Sequence, residues 1–189
     1  MKMPTKILLT LVTAAALSYA TPAFANLVSN PGFETGDFTD WTQFGNTGFT
    51  GVDTFSARFG TFGAFFGPVG SDGGISQNLT TVAGQHYTLS FWLENDGGTP
   101  NDVSILWNGA TIASGVDLGG FGYTRFSFSG LVATSGSTQL AFSFRQDPAY
   151  YRLDNVSVTA PDGGNTLWLL GLAMVGICLV RRLAPARVR

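Results

Sequence analysis

The chain is predicted to be all-β, with an antiparallel β-sandwich over residues 26–159. Between Asn26 and Asp162, apolar residues recur at every second position in several runs, which is typical of strands with one buried face. Helical periodicity is nearly absent there, and Gly, Asp and Asn separate the short runs. Greek-key or jelly-roll connectivity is favoured over a simple meander, and the spacing alone leaves that choice open.

The strands are predicted in chain order from this alternation and from turn residues. Residues 75–79 alternate and are followed by a turn at Ala83-Gly84. Residues 87–94 place Tyr87, Leu89, Phe91 and Leu93 on one face. Asn108-Gly109 is a strong hairpin signal between a strand at 103–107 and a return strand at 110–112. Further strands are predicted at 123–128, 140–145 and 153–158.

Residues 1–25 are predicted to be a secretory signal peptide. Lys2 and Lys6 give a positive start, and residues 7–20 form an apolar run without a charge. Ala23-Phe24-Ala25 is the small-x-small pattern that signal peptidase reads, which places cleavage before Asn26. The alternative is a membrane helix, but the run is short and precedes a cleavage site. We therefore expect the chain to be exported.

A single transmembrane helix is predicted near the C-terminus, over residues 166–180. The apolar run 167–180 would rise only about 21 Å as a helix, less than the roughly 30 Å of a bilayer core. Arg181 and Arg182 follow it, can snorkel to the headgroups and agree with the positive-inside rule. A buried core helix is the alternative, and it fits poorly with a segment that is apolar on all sides.

Residues 160–189 together resemble a bacterial sorting signal. A helix-breaking motif precedes the apolar segment, and an arginine pair follows it. This order resembles the PEP-CTERM class, in a variant that reads P-D-G-G. The resemblance implies processing by an exosortase, a membrane cysteine protease, and a transient membrane anchor before release or attachment at the cell surface. The sorting residues are Pro161, Asp162, Gly163, Gly164, Arg181 and Arg182.

Composition excludes several classes of function for the exported part. Between Asn26 and Asp162 four arginines and no lysine face all twelve acidic residues, a net charge of about −8. Such a domain lacks the cationic surface that nucleic acid requires. The single cysteine, Cys178, lies in the C-terminal segment, so a disulfide is excluded. One histidine, His86, leaves no multi-histidine metal site.

The body of the chain resembles a known group of modules. Residues 26–34 read N-L-V-S-N-P-G-F-E, with G-D-F at 36–38 and then Trp41. This opening, the stretch 75–91 and the last run Y-R-L-D-N-V-S-V at 151–158 resemble galactose-binding-like jelly rolls, including carbohydrate-binding modules. The likeness spans about residues 26–159. It implies a jelly-roll fold, and glycan binding less directly, because one fold hosts many ligands.

The same resemblance implies a structural calcium ion. In such modules the acid after N-P-G-F and the aspartate of the last strand lie close together and help to hold calcium; here these are Glu34 and Asp154. Calcium takes six to eight oxygens, which an acidic domain can supply. Asn155 stands where a second aspartate is often found. The alternative is that both acids cap turns or pair with arginine.

The candidates for glycan contact are aromatic and planar polar side chains, because sugars present apolar C–H faces between hydroxyls. Trp41 and Trp107 are predicted to be core. Trp92 has the opposite phase to Phe91, so it is expected to face outward. We predict a ligand-binding face of Trp92, Arg145 and Tyr151. Residues 59–67, F-G-T-F-G-A-F-F-G, are expected to pack inward, with a sticky surface loop as the alternative.

Catalysis has little support in the sequence. No G-x-S-x-G motif is present, and nothing indicates that two acids converge for glycoside hydrolysis. We therefore expect a non-enzyme: an exported surface or matrix protein that binds or associates with exopolysaccharide. One alternative is an adhesive or structural protein that contacts other proteins. A small glycan hydrolase or lyase is the other.

Overall fold

The computed structural model describes residues 25–147 and 149–160, which form ten β-strands and no helix. The strands are β1 (Thr42–Gly45), β2 (Thr50–Asp53), β3 (Gly63–Phe66), β4 (Gly73–Thr80), β5 (His86–Asn95), β6 (Asn101–Trp107), β7 (Ala110–Val116), β8 (Phe121–Val132), β9 (Ser137–Gln146) and β10 (Tyr151–Thr159).

The strands form two five-stranded sheets. Sheet 1 has the order β1-β4-β9-β6-β7, and sheet 2 has the order β2-β3-β10-β5-β8. Every pairing is antiparallel. Most neighbouring strands are distant in sequence, which excludes a simple meander. The predicted antiparallel β-sandwich is confirmed, and its connectivity is consistent with a jelly roll.

Strands β4 to β10 correspond to the predicted runs, whereas the alternation pattern does not predict β1, β2 and β3. Each of these three has four residues. Strand β1 is exposed throughout, and β2 contains a glycine, so neither shows a buried face in the sequence. Segment 59–67 combines the two predicted alternatives, inward packing and a surface loop. Phe66 is buried, whereas Phe59 is exposed.

The core lies between the sheets and is largely aromatic. Phe142 of β9 packs edge-on against Phe91 of β5, with ring centroids 5.0 Å apart. Phe66 of β3 stacks on Phe144 of β9 at 4.3 Å. These contacts join strands of opposite sheets, and their burial is the main source of stability in a domain without disulfides.

Trp41 and Trp107 are buried, which confirms the prediction that both belong to the core. Each indole N–H finds a backbone acceptor: that of Trp41 donates to the Asn30 carbonyl at 3.1 Å, and that of Trp107 to the Val132 carbonyl at 2.9 Å. Each indole ring therefore fills space in the core, and its N–H hydrogen bond ties it to the backbone of another segment of the chain.

The predicted terminal signals fall almost wholly outside the described residues. This applies to the signal peptide, apart from Ala25, and to the sorting segment, apart from Ala160. Within 25–147 and 149–160 there is no helix with the length and apolarity that crossing a membrane requires.

Candidate functional site

The outer face of sheet 2 is covered by the loop between β2 and β3, residues 54–62, which we call the covering loop. Asp154 lies at a bulge in β10 and is 0% exposed. Its Oδ2 accepts the backbone N–H groups of Arg58 and Phe59, both at 2.8 Å, and its Oδ1 accepts that of Asn155 at 2.6 Å. The carboxylate thus fastens the covering loop to the sheet.

Glu34 holds the following turn of the same loop. Its two carboxylate oxygens accept the Thr61 N–H, each at 3.0 Å, and Oε1 also accepts the Phe62 N–H at 3.2 Å. A Cβ added to Gly32 would lie 3.4 Å from Asp154 Oδ1 and 3.7 Å from Glu34 Cγ. The two acids are therefore close together, beside a cavity of about 490 Å³ that Glu34, Gly32 and Asn155 help to line.

Burial raises the pKa of Asp154 above its ordinary value of 3.8, and the N–H donors of Phe59, Arg58 and Asn155 oppose this rise. The charge on Glu34 raises it further. An isolated buried carboxylate would be costly, so the three backbone donors are the reason that an aspartate is tolerated at this position.

The calcium prediction concerns Glu34 and Asp154, with Asn155 at the position where a second aspartate is often found. All four carboxylate oxygens already accept a backbone N–H. The described residues contain no group of three or more His, Cys, Asp or Glu side chains placed to hold a metal. The two carboxylates hold the covering loop by accepting its backbone N–H groups. A structural calcium ion at this position stays a prediction.

Chelation tests that prediction. If the ion is bound, the chain should melt at a lower temperature in excess EDTA than in calcium. An ion that binds only the folded state raises the melting temperature by mass action. Thermal melts followed by circular dichroism measure the difference. A fall in EDTA that added calcium reverses would establish the ion, and equal melting temperatures would overturn the calcium prediction.

Trp92 faces outward on sheet 2, as its phase predicts, but its ring is not free. The Arg58 guanidinium lies 4.7 Å from the Trp92 ring centroid and 4.4 Å from that of Phe59. Phe59 meets Trp92 edge-on at 5.7 Å. Trp92 therefore supports the covering loop through a cation–π contact and an aromatic contact.

Arg145 and Tyr151 lie apart from Trp92. Arg145 is on the outer face of sheet 1, where it pairs with Asp147 at 3.1 Å. Tyr151 differs from the expectation of an exposed ligand contact: it is 0% exposed, and its hydroxyl donates to Asn101 Oδ1 at 2.6 Å. Burial raises the pKa of the Tyr151 phenol. The structure does not bring the three residues together, because they lie on two outer faces and in the core.

Exposed and half-buried aromatic rings gather instead at one edge of the sandwich, near β2 and β3. We call Phe49, Phe55, Phe65 and Tyr150 the aromatic edge. Phe55 is 90% exposed and Phe49 66% exposed. Tyr150 meets Phe65 edge-on at 5.5 Å and lines two neighbouring cavities, one with Phe55 and Phe65 and the other with Phe49.

Charged groups border the aromatic edge. Asp53 and Arg152 line the cavity of about 190 Å³ that contains Phe55, Phe65 and Tyr150. The Arg152 guanidinium pairs with Glu94 at 2.9 Å and also with Asp96. These ion pairs hold the guanidinium beside the rings, which gives the surface planar hydrogen-bonding groups next to apolar faces.

Unlike the aromatic edge, the outer face of sheet 1 carries mainly small residues. Ser76 of β4 lies opposite Ala141 of β9, and Ser143 of β9 opposite Ser104 of β6. Phe44, which is partly exposed, lies across Gly74: a Cβ on that glycine would be 2.9 Å from the Phe44 ring. This face offers one aromatic ring and the Arg145–Asp147 pair.

Solved structures share this fold. TmCBM61, in complex with beta-1,4-galactotriose, has a TM-score of 0.59 at 19% identity, covering 72% of this chain and 99% of that chain. The CBM22-1 xylan-binding domain of Paenibacillus barcinonensis Xyn10C has a TM-score of 0.53 at 20% identity, covering 75% and 97%. The CBM22-1–GH10 part of Clostridium thermocellum xylanase 10B has a TM-score of 0.56 at 16% identity, covering 75% and 29%.

These similarities establish a fold that is shared with carbohydrate-binding modules, which confirms that part of the resemblance. No protein-family model and no curated protein sequence matches the chain. Function has therefore to be argued from the chain's own surface.

Proposed function

We propose that this chain is an exported, non-catalytic protein of the cell surface or extracellular matrix that binds glycan through its aromatic edge. The observation that carries the proposal is the group of exposed and half-buried rings beside Asp53 and the ion-paired Arg152. Pyranose rings stack their C–H faces on aromatic side chains, while planar charged groups take their hydroxyls. The shared fold with carbohydrate-binding modules supports the proposal.

The polar groups within the aromatic edge favour glycan over a purely adhesive surface. Small-molecule sites place a few polar groups in the same cavity as the aromatic walls, whereas contact surfaces between proteins concentrate their polar residues at the rim. Here Asp53 and Arg152 lie in the same cavity as Phe55, Phe65 and Tyr150. Adhesion to other proteins is accordingly the second candidate, since Phe55 is exposed enough to serve it.

A glycan hydrolase built on Glu34 and Asp154 is not supported. A catalytic pair needs two carboxyl groups that both reach the scissile bond. Asp154 is fully buried, and both of its oxygens accept backbone N–H groups. The pair is engaged in holding the covering loop, which favours a binding module over an enzyme.

Export, exosortase processing and exopolysaccharide as the glycan complete the proposal. They rest on the signal peptide pattern, on the P-D-G-G sorting motif with Arg181 and Arg182, and on the lysine-free acidic composition of the body. On this proposal the C-terminal segment anchors the chain in the membrane until it is cut.

Truncation of Phe55 tests the glycan proposal. We expect Phe55→Ala to weaken binding to polysaccharide about twofold to twelvefold, because one stacked ring contributes roughly 0.5–1.5 kcal/mol. The melting temperature should not change, since Phe55 is almost fully exposed. Affinity electrophoresis of the purified full chain in gels with galactan, xylan or the producing cells' exopolysaccharide measures the effect.

Phe44→Ala is the matched control, because Phe44 is an exposed phenylalanine on the other sheet. It should bind like the unsubstituted chain. Loss of binding in Phe44→Ala alone would move the site to sheet 1. Absence of retardation by every polysaccharide would overturn glycan binding and leave adhesion as the better account.

A further inference from the structure

Two arginine side chains on the outer face of sheet 2 have no acidic partner within the described residues. The body of the chain contains four arginines, and two of them, Arg145 and Arg152, form ion pairs. Arg58 of the covering loop and Arg125 of β8 are exposed, and neither forms an ion pair with a described acid. In a domain where acids outnumber arginines threefold, two cations without a partner at neighbouring positions call for an explanation.

Both of these arginines lie beside Trp92 of β5. The Arg58 guanidinium carbon is 4.7 Å from the Trp92 ring centroid and 4.4 Å from that of Phe59. Arg125 lies directly opposite Trp92 in the pairing of β5 with β8, and its Nη2 donates to Ser90 Oγ at 3.3 Å. Ser90 and Trp92 point to the same face of the sheet, about 7 Å apart along β5. The two guanidinium groups therefore occupy neighbouring positions on one face.

Arg58 is held in position by the fold itself. Its backbone N–H donates to Asp154 Oδ2 at 2.8 Å, and its guanidinium lies over the rings of Phe59 and Trp92. A long side chain normally loses rotamer freedom when it binds a ligand, and one that is already ordered by aromatic contacts loses less. Arg58 therefore combines a full positive charge with a low entropic cost of binding.

The acids nearest in the sheet to Trp92 have other partners. Glu94, two positions further along β5, accepts from Arg152 Nη1 at 2.9 Å. Asp154, opposite Trp92 in β10, is buried and accepts three backbone N–H groups. A guanidinium presents its N–H donors in a planar fork that matches the two oxygens of a carboxylate. The two exposed arginines are therefore suited to an oxyanion from another molecule.

Hydroxyl groups adjoin the arginines and favour a sugar over a peptide. Ser90 pairs across the sheet with Ser157 of β10 and with Ser127 of β8, so three serines form a row beside Arg125. Serine hydroxyls both donate and accept hydrogen bonds, as the hydroxyls of a sugar do. An acidic peptide would gain its specificity from pockets for its side chains, which a flat row of serines does not supply.

We propose that Arg58 and Arg125 bind the carboxylate of an acidic sugar residue, on the outer face of sheet 2 beside Trp92. The ligand class is a polysaccharide that contains uronic acids. The site goes beyond the proposed function, because neither arginine lines the two cavities of the aromatic edge. The net charge of about −8 repels such a polymer at long range. Salt of about 0.15 M screens exposed charges beyond about 8 Å, so the contacts at the two arginines decide the affinity.

Trigalacturonate and its fully methyl-esterified form test the proposal, because the two share a backbone and differ in carboxylate charge. Binding to the purified full chain is measured by isothermal titration calorimetry in about 0.15 M NaCl. EDTA is included to remove calcium, which would otherwise bridge acids of the ligand and the protein. We expect the acid to bind at least about tenfold more tightly than the ester. Arg58→Gln and Arg125→Gln should each weaken binding of the acid about fivefold and leave binding of the ester unchanged.

Gln139→Glu is the matched control, because it makes the net charge more negative by one, as each arginine substitution does. Gln139 is exposed on β9 of sheet 1, away from the proposed site, so its substitution should leave binding of the acid unchanged. Arg58→Lys keeps the charge and loses the planar fork, and its affinity should lie between those of the unsubstituted chain and Arg58→Gln. Arg125→Gln lies outside the covering loop, so it keeps the test valid if the melting temperature shows that Arg58→Gln loosens that loop.

Four results would overturn the site or its ligand. Weakening by Gln139→Glu as large as that by the arginine substitutions would mean that net charge alone sets the affinity. Equal affinity for acid and ester, or binding of neither, would remove the carboxylate contact. Equal binding of triglutamate would overturn the choice of a sugar, and tighter binding of sulfated galactotriose would overturn the choice of a carboxylate. None of these results bears on the aromatic edge, which Phe55→Ala tests separately.

Discussion

Asp154→Ala should lower the free energy of unfolding by about 4 kcal/mol and the melting temperature by about 15 °C. The substitution removes one acceptor group from three backbone N–H donors, those of Arg58, Phe59 and Asn155. The covering loop must then lift to hydrate these donors or keep them buried and unpaired. Urea unfolding of the full chain, followed by tryptophan fluorescence, measures the loss.

Asp72→Ala is the matched control, because Asp72 is an exposed aspartate. It should be close to neutral. If Asp154→Ala unfolded at the same urea concentration as this control, the carboxylate would have no role in holding the loop.

The pH dependence of Asp154→Asn checks the same group with a defined sign. The pKa of Asp154 is raised in the folded state, so its contribution to stability is complete below its unfolded value of about 3.8 and is lost as pH rises through the folded value. We expect the unsubstituted chain to gain stability relative to Asp154→Asn as pH falls from neutral toward 3.8. An opposite trend would mean that the folded state lowers this pKa.

Gly63→Ala should lower the free energy of unfolding by about 3 kcal/mol and weaken polysaccharide binding as well. A Cβ on Gly63 would lie 1.7 Å from the Ser56 carbonyl oxygen. Ser56 is buried, and the same oxygen accepts the Tyr123 hydroxyl, so the covering loop has little freedom to withdraw. Displacing it also displaces Phe55 from the cavity that Phe65 and Tyr150 share.

Gly119→Ala controls for the loss of a glycine, because nothing lies within 4 Å of the Cβ it would add. It should unfold and bind like the unsubstituted chain. If Gly63→Ala did the same, the close contact between β3 and the covering loop would be wrong. Unfolding curves and the affinity gels described above give both measurements.

The sandwich could be predicted because buried faces leave a period of two in the sequence. Leu140, Phe142 and Phe144 alternate with outward residues, and all three are buried. Phe49 and Phe55 give no such signal, since each lies in a loop where side-chain direction depends on turn geometry. The sequence pattern therefore does not show that the rings of the aromatic edge lie together, and only the three-dimensional structure does.

The two adjacent tyrosines show where the sequence could have been used better. Tyr151 lies two residues before Leu153 and shares its inward phase, so it is buried, whereas Tyr150 has the opposite phase and reaches the surface. The alternation rule distinguishes them. Glu34 and Asp154, whose closeness the resemblance implies, lie near each other in the structure. Apart from the Asn155 N–H, the backbone donors to their oxygens come from a loop 27 or more residues away from either acid in the sequence.

Strand β10 is the last to leave the ribosome, yet it lies at the centre of sheet 2, between β3 and β5. Strands β3 and β5 cannot become parts of one continuous sheet until β10 lies between them. The backbone N–H of Leu27, near the start of the domain, also donates to the Val158 carbonyl of β10 at 2.9 Å. Closing such distant pairs carries a large loop entropy and slows folding. Sheet 2 consequently cannot be completed until almost the whole of the domain has been synthesised.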